Sequence, residues 1–523
     1  MRRLRTGAAA LMLVLSAAVS LLGGSPAAAA DTDATAPRSS TGQRWALKVK
    51  DAVENKWYFV AAELSDSLSS AQKGKLRART PYDPASPTLP VGSWETFTLH
   101  TADDGTTVSL RNERNGLYVA TEIDYADPQQ YMLRARSARI GTSASAWEKF
   151  VLTADREEPD AFNLRSVAAN AYVRAKFSQS GDPGLLLANA ASPAGSWERI
   201  RLVPVPLPAT GEYGYGAEPP AAAAGPAGTV RDVVSWNACS NDNSACPLDN
   251  AEVGTVADTV GDRARNAAAD VMFVQEFCEK AAAPLESGLE QRAVGGSSSW
   301  SVRFAPIYRK LKATGFPAQK HCANSATGAD RGAYGTAVAV PGENVWYRSW
   351  TLPSRDTAEQ RPLLCATVPS QGTAYCGGHF SAGITGDDVY QAGANEHPTG
   401  YYRNLQARTA VEQATMLRGR GYQVVLGGDL NASPPDAPQG PGTAPAWVLE
   451  PLYFQAGTAD AGFEECDQSA NGGLRTGAPT HVSSGSSLKL DYVLGPTSAD
   501  YSCSVTDTGL SDHRLIRATV AFH

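Results

Sequence analysis

Val424-Val425-Leu426-Gly427-Gly428-Asp429-Leu430-Asn431 is an apolar run that stops on a carboxylate and a carboxamide. A short apolar stretch bounded in this way reads as a buried strand whose last residues reach the rim of a sheet. The same grammar recurs outward along the chain. Val233-Val234-Ser235-Trp236-Asn237 ends on an amide, Val271-Met272-Phe273-Val274-Gln275-Glu276 on a carboxylate, and Cys376-Gly377-Gly378-His379 on an imidazole. Leu488 to Leu494 carries Asp491, and Ser511-Asp512-His513 lies near the C-terminus. Five strand ends therefore deliver Asn, Glu, His, Asp/Asn and Asp/His, the groups expected of a hydrolytic metal site spread over one sheet.

Between these runs lie helical patterns. Val256 to Ala269 predicts a helix ahead of the Val271 strand, and Asn404 to Arg418 places Leu405, Val411, Ala414 and Leu417 near one face ahead of the Val424 strand. This alternation predicts layered α/β architecture from Arg231 onward.

Taken singly, each polar residue has a bland reading. An Asp or Asn after a strand is commonly a turn former, and an isolated His is commonly a surface or satisfied core residue. Their order changes that. Trp236-Asn237, Gln275-Glu276, Gly378-His379, Gly428-Asp429-Leu430-Asn431, Leu490-Asp491-Tyr492 and Ser511-Asp512-His513 together are similar to the signature of the endonuclease/exonuclease/phosphatase superfamily, the DNase I-like fold, over residues 229–523.

The resemblance implies a four-layered α/β sandwich and a metal-dependent phosphoric ester hydrolase. It implies Asp429 as the group that orients or deprotonates the attacking water, with Asn431 donating to a phosphate oxygen. His513 corresponds to an imidazole on the scissile phosphate, Asp491 to the carboxylate that fixes its tautomer, and His379 to a second imidazole. Glu276, supported by Asn237 and Asp512, supplies hard oxygen ligands suited to Mg²⁺ or Mn²⁺, with Ca²⁺ a further candidate. Arg361, at the start of a strand, is a candidate clamp for a substrate phosphate, with a purely structural role as its rival.

The first half of the chain carries a threefold repeat. Trp94-Glu95, Trp147-Glu148 and Trp197-Glu198 each close a unit, and Asn55-Lys56-Trp57-Tyr58, Asn115-Gly116-Leu117-Tyr118 and Asn170-Ala171-Tyr172-Val173 open one. Short strands at a period near 50 residues imply a pseudo-threefold β structure. Residues 43–203 resemble a β-trefoil of the fascin-like or actin-crosslinking type, which implies a sugar- or protein-binding domain. The three Trp side chains are expected in its core. Pro204 to Thr229, rich in Pro, Gly and Ala, reads as a semi-rigid linker, so residues 204–228 are expected to separate two domains.

Residues 1–30, with Arg2, Arg3 and Arg5, an apolar core from Ala8 to Leu22 and small residues Ala27 to Ala30, read as a signal peptide. The apolar core is shorter than the roughly 20 residues of a membrane span. A secreted, extracellular, monomeric protein is expected. All 8 cysteines lie between Cys239 and Cys503. Proximity suggests Cys239–Cys246, Cys278–Cys322, Cys365–Cys376 and Cys466–Cys503, and only the third has a geometric basis, in a hairpin. Zinc is the alternative, although Cys-x-x-Cys spacing is absent.

The formal net charge is −7, and residues 229–523 hold about 22 Lys/Arg against about 30 Asp/Glu, so bulk electrostatics will not attract a polyanion. Arg303 to Lys320 is the most basic local stretch and the best candidate surface for one, with a solvated face as the equal alternative. Export argues against DNA repair and for an extracellular substrate. The favoured reading is a nuclease acting on DNA ahead of RNA. A sphingomyelinase, phospholipase C-like or other phosphoester hydrolase is the alternative in the same reaction class. An inactive hydrolase-like domain delivered by a carbohydrate- or protein-binding module is the alternative of another class.

Overall fold

The computed structural model describes residues 42–523 apart from 207–217, 454–461 and several shorter stretches, among them 384–387 and 397–398. The expected signal peptide lies outside the described residues. Among these, no helix is long and apolar enough to cross a membrane.

The N-terminal half is all-β. Its strands are β1 (Arg44–Asp51), β2 (Lys56–Ala62), β3 (Leu76–Tyr82), β4 (Thr96–Thr101), β5 (Val108–Asn112), β6 (Tyr118–Glu122), β7 (Met132–Ser137), β8 (Phe150–Ala154), β9 (Phe162–Ser166), β10 (Ala171–Lys176), β11 (Leu185–Ala190) and β12 (Arg199–Val205). Six of them pair in a closed ring, β1–β4–β5–β8–β9–β12 and back to β1. The other six form the hairpins β2–β3, β6–β7 and β10–β11. The repeat openers explain the turns leading into β2, β6 and β10. Asn55, Gly116 and Asn170 all adopt left-handed φ (55°, 66° and 51°), a conformation that Asn and Gly tolerate best.

The repeated Trp residues sit one turn away from the core expected of them. Trp94, Trp147 and Trp197 are half-buried, while the residue three places later, Phe97, Phe150 or Ile200, is buried in the shared cluster. In the first two units the Glu after the Trp folds back onto the chain. Glu95 Oε2 accepts from the Gly92 N–H at 2.9 Å, and Glu148 Oε2 from the Gly141 N–H at 3.1 Å. The motif is thus a turn-closing device with its aromatic ring at the rim.

The C-terminal half begins with β13 (Val230–Asn237), α1 (Val253–Asn266), β14 (Val271–Cys278), α2 (Ala282–Gln291), β15 (Trp300–Pro306), β16 (Tyr308–Lys310), β17 (Pro317–Lys320) and β18 (Tyr334–Pro341). It continues through β19 (Trp346–Thr351), β20 (Pro362–Val368), β21 (Thr373–His379), the short pair β22 (Gln391–Ala392) and β23 (Asn395–Glu396), α3 (Tyr401–Arg418) and β24 (Gln423–Asp429). It ends with β25 (Glu464–Glu465), β26 (His481–Ser483), β27 (Ser486–Leu488), β28 (Asp491–Gly495), β29 (Asp500–Thr506) and β30 (Leu515–Ala521).

Two six-stranded sheets result, ordered β15-β18-β14-β13-β30-β29 and β19-β20-β21-β24-β28-β25. Their inner faces meet through Val233, Phe273, Val338, Leu364, Tyr375, Val425, Val493 and Ile516. Helices α1 and α2 cover the outer face of the first sheet, and α3 covers that of the second, giving four layers. The glycines of the two Gly-Gly runs let the sheets approach. A Cβ on Gly377 would lie 2.9 Å from the Phe273 ring, and one on Gly427 2.5 Å from it. All four disulfides form as expected, with Cys365 and Cys376 direct register partners in the β20–β21 hairpin.

Two of the cations in the basic stretch Arg303 to Lys320 are enclosed and taken up by carboxylates. Arg303 is 3% exposed and bonded to Glu286, and Lys320 is 5% exposed between Asp242 and Glu359. Hairpin β16–β17 instead joins the N-terminal sheet, β17 pairing in parallel with β4. Leu311 and Ala318 enter the N-terminal core, and Phe316 packs on Trp45 and Phe162 at ring separations of 4.5 and 5.4 Å. Pro219 to Ala223 lies along the C-terminal half, where Tyr422 donates to the Pro220 carbonyl at 2.6 Å. The two halves therefore share a sheet and a core.

Candidate active site

Strand ends deliver the polar set to one rim. β21 and β24 run parallel in register, so His379 and Asp429 are partners at their last residues. Immediately before Asp429, Gly428 has φ 130°, and a Cβ there would fall 1.9 Å from the Gly378 carbonyl oxygen. Only glycine fits that crossing. Glu276 has φ 51° and sits where the β14–β18 register slips between Val274 and Phe277, an irregularity that turns its side chain out of the ladder. Asn431 is also left-handed, with φ 48°, and its N–H donates to Asp429 Oδ1 at 2.9 Å.

Asp429 is the hub. Asn237 Nδ2 donates to Asp429 Oδ2 at 3.1 Å and to Glu276 Oε1 at 3.0 Å, so one amide ties two carboxylates. His379 Nε2 is 3.4 Å and His513 Nε2 3.7 Å from Asp429 Oδ2. The other ring nitrogen of His513 bonds Asp491 Oδ2 at 2.7 Å, and Thr480 Oγ1 accepts the Asp491 N–H at 2.9 Å. Asn431 Nδ2 donates to the Phe380 carbonyl at 3.0 Å, fixing the turn after Asp429.

The two imidazoles differ in charge. Burial opposes the His513 cation, but the carboxylates of Asp491 and Asp429 outweigh it and push its pKa up to about 10. His379 is lowered well below its ordinary value by burial, with Arg361 and His513 adding to the effect, and its Nδ1 is buried without a partner. Glu276 is raised to about 7, chiefly by burial, against the Asn237 bond and the His513 charge. Asp429 is raised as well, by burial first.

Asp512 faces elsewhere. Its carboxylate accepts from Asn243 Nδ2 at 3.1 Å and lies 3.8 Å from His481 Nε2. Among the described residues, the group around Asp429 whose ligand atoms all lie within 4.8 Å of one another is Asp429, Asp491 and His513, without Glu276 or Asp512. Arg361 donates through Nη2 to Glu359 at 2.9 Å, and its Nη1 is buried without a partner. The Glu276 and Asp429 charges act on it favourably. His481, which no motif marks, packs on His513 at a ring separation of 4.7 Å. Its signal lies in the pairing of residues 481 and 513 across a β-bridge, which is a tertiary fact.

The donor set fits a hard divalent cation. Glu276 and Asp429 share one amide, the Asp429 charge raises the Glu276 pKa and the Asp491 charge raises that of Asp429, and Asp491 Oδ1 is buried without a partner. A cation beside them relieves that repulsion with the oxygen ligands it prefers.

A sequence profile described as "Endonuclease/Exonuclease/phosphatase family" matches residues 234–513. The chain belongs to the endonuclease/exonuclease/phosphatase family. It is accordingly a phosphoester hydrolase. Similar solved structures include truncated Caenorhabditis elegans TDP2, at 14% identity and TM-score 0.33, covering 56% of this chain and 98% of that one. An endonuclease/exonuclease/phosphatase from Beutenbergia cavernae follows, at 18% and 0.38, covering 56% and 72%. A 3'-5' exonuclease from Neisseria meningitidis is at 13% and 0.35, covering 56% and 100%. No curated protein matches the chain.

Proposed function

We propose that the chain is a secreted, divalent-metal-dependent phosphodiesterase that hydrolyses DNA outside the cell. The observation that carries the chemistry is Asp429 held between Asn237, His379 and His513, with Asp491 behind His513. Mg²⁺ or Mn²⁺ at Glu276, with Asn237 in support, would act as a Lewis acid on the phosphate. Asp429, with its carboxyl raised, accepts the proton of a water lined up on phosphorus. His513, cationic and locked by Asp491, stabilises the charge that builds on the phosphoryl oxygens. His379 remains neutral and bonds a phosphate or leaving oxygen. The remaining Nη1 of Arg361 is suited to a second phosphate oxygen.

A nucleic acid is favoured over a lipid because the aromatic stretch nearest in pattern to a bilayer-docking segment is otherwise engaged. Trp346 to Trp350 lies in β19, paired along β20, and Trp350 packs against the core of the second sheet. The ring of six strands with three hairpins supports reading residues 43–203 as a β-trefoil that binds a glycan or protein. The leader in residues 1–30 and the four disulfides support export.

The test is parallel incubation with plasmid DNA, RNA and sphingomyelin in Mg²⁺. Cleavage of DNA that EDTA abolishes is expected. Turnover of sphingomyelin alone overturns the substrate, and turnover of none of the three, indifferent to EDTA, favours an inert hydrolase-like domain.

A further inference from the structure

Two buried chains of charge run from the N-terminal strands toward Glu276 and Arg361. In the first, Arg111 on β5 is 4% exposed, and its Nη1 and Nη2 donate to Glu279 Oε2 and Oε1 at 2.8 and 2.7 Å. Glu279 is 2% exposed, accepts from the Ala333 N–H at 3.2 Å, and donates its own N–H to the Ala333 carbonyl at 2.8 Å. It thus clamps the end of β14 to the start of β18, three residues after the irregular turn at Glu276. Gly332 presses on it so closely that a Cβ would stand 2.8 Å from Glu279 Oε2. Cys278, the residue before Glu279, is tied to Cys322 beyond β17.

In the second chain, β17 lies on β4, with Gln319 opposite His100 and Lys320 opposite Thr101. Lys320 Nζ donates to Glu359 Oε1 at 2.7 Å, and Glu359 Oε2 accepts from Arg361 Nη2 at 2.9 Å. The guanidinium whose Nη1 has no protein partner is therefore aimed by a carboxylate bonded to Lys320, a residue of the barrel's own sheet.

Buried ion pairs contribute little net stability once desolvation is counted, and the apolar contacts of Leu311, Phe316 and Ala318 already join the halves. What a bidentate, fully enclosed pair fixes well is geometry. We propose that the N-terminal barrel is a positioning element of the active site, in which Arg111 through Glu279 holds Glu276, and β4 through Lys320 and Glu359 aims Arg361. The inference rests on the roles proposed for Glu276 and Arg361.

The test uses Arg111→Lys, which keeps the charge and loses the fork, and Glu359→Gln, both in the full chain. With bis(p-nitrophenyl) phosphate as substrate, Arg111→Lys should raise the Mg²⁺ half-saturation roughly tenfold, the low end of what supports of metal ligands contribute. Glu359→Gln should raise KM by roughly tenfold with a smaller change in kcat. Amide exchange should quicken over residues 274–279 in the first variant and 361–366 in the second. A role confined to stability lowers the melting temperature of both without moving half-saturation or KM, and that result overturns the proposal. If the wild type turns over no phosphoester, the reading of the site fails, and exchange alone decides the positioning claim. Unchanged exchange in both segments then sinks it.

Discussion

His379 and Asp429 end two parallel strands as register partners, and their side chains meet at 3.4 Å. The contact exists because Gly428 lets β24 pass against the Gly378 carbonyl. Gly428→Ala forces a Cβ to 1.9 Å from that oxygen at φ 130°. Backbone strain of this kind costs about 1–3 kcal/mol, and relief of the clash must also move Asp429. The variant should unfold at lower urea and lose most of its turnover even where it is folded. Wild-type activity at a shifted urea midpoint would show that the crossing serves stability alone.

His513 and Asp491 give a pH dependence with a definite sign. The folded pKa of His513 is raised to about 10, so its pairing stabilises the fold fully below the ordinary histidine value and is lost as pH rises toward 10. Urea midpoints of the wild type should fall between pH 7 and pH 10, and Asp491→Asn should flatten that fall by removing the largest charge that raises His513. His513→Ala should lower kcat by about 10² to 10⁴-fold with the fold retained. Equal midpoint slopes in wild type and Asp491→Asn would contradict the pairing.

Glu276, raised to about 7 in the free site, must lose its proton to hold a cation. Proton and metal therefore compete, and the Mg²⁺ half-saturation should drop as pH rises from 6 to 8. Glu276→Gln abolishes the competition and weakens binding at every pH. Calorimetric titration with Mg²⁺ at the two pH values measures this, and a pH-independent affinity would remove Glu276 from the metal site.

The strand ends were legible because strands buried on both faces read as unbroken apolar runs, and a polar residue closing such a run is conspicuous. Asn237, His379 and Asp429 close their strands, Glu276 lies two residues before the end of β14, and Asp491 opens β28. The direction of Asp512 was not legible, since Asn243 and His481, which engage it, lie 269 and 31 residues away. Charges between Arg303 and Lys320 read as a surface because their partners are remote in sequence. Lys320 meets Asp242 78 residues before it and Glu359 39 residues after it. The Trp repeats marked the period correctly but missed the core by three residues, since composition alone does not say on which side of a turn a large ring will pack.

The hairpin shared between the halves makes the N-terminal region hard to remove. A chain beginning at residue 218 would expose Leu311, Phe316 and Ala318 and leave Glu279 enclosed on one side without Arg111. Breaking a buried pair by removing one partner costs about 3–5 kcal/mol, a large share of the roughly 5–15 kcal/mol that holds a domain folded. The shortened protein should therefore aggregate, or melt well below the full chain in a thermal scan. Restoring polarity with Phe316→Ser and Glu279→Gln should recover part of the soluble yield by shrinking the exposed apolar patch and removing the unpaired charge. A truncated protein with the melting temperature of the full chain would mean that the seam contributes contacts without support.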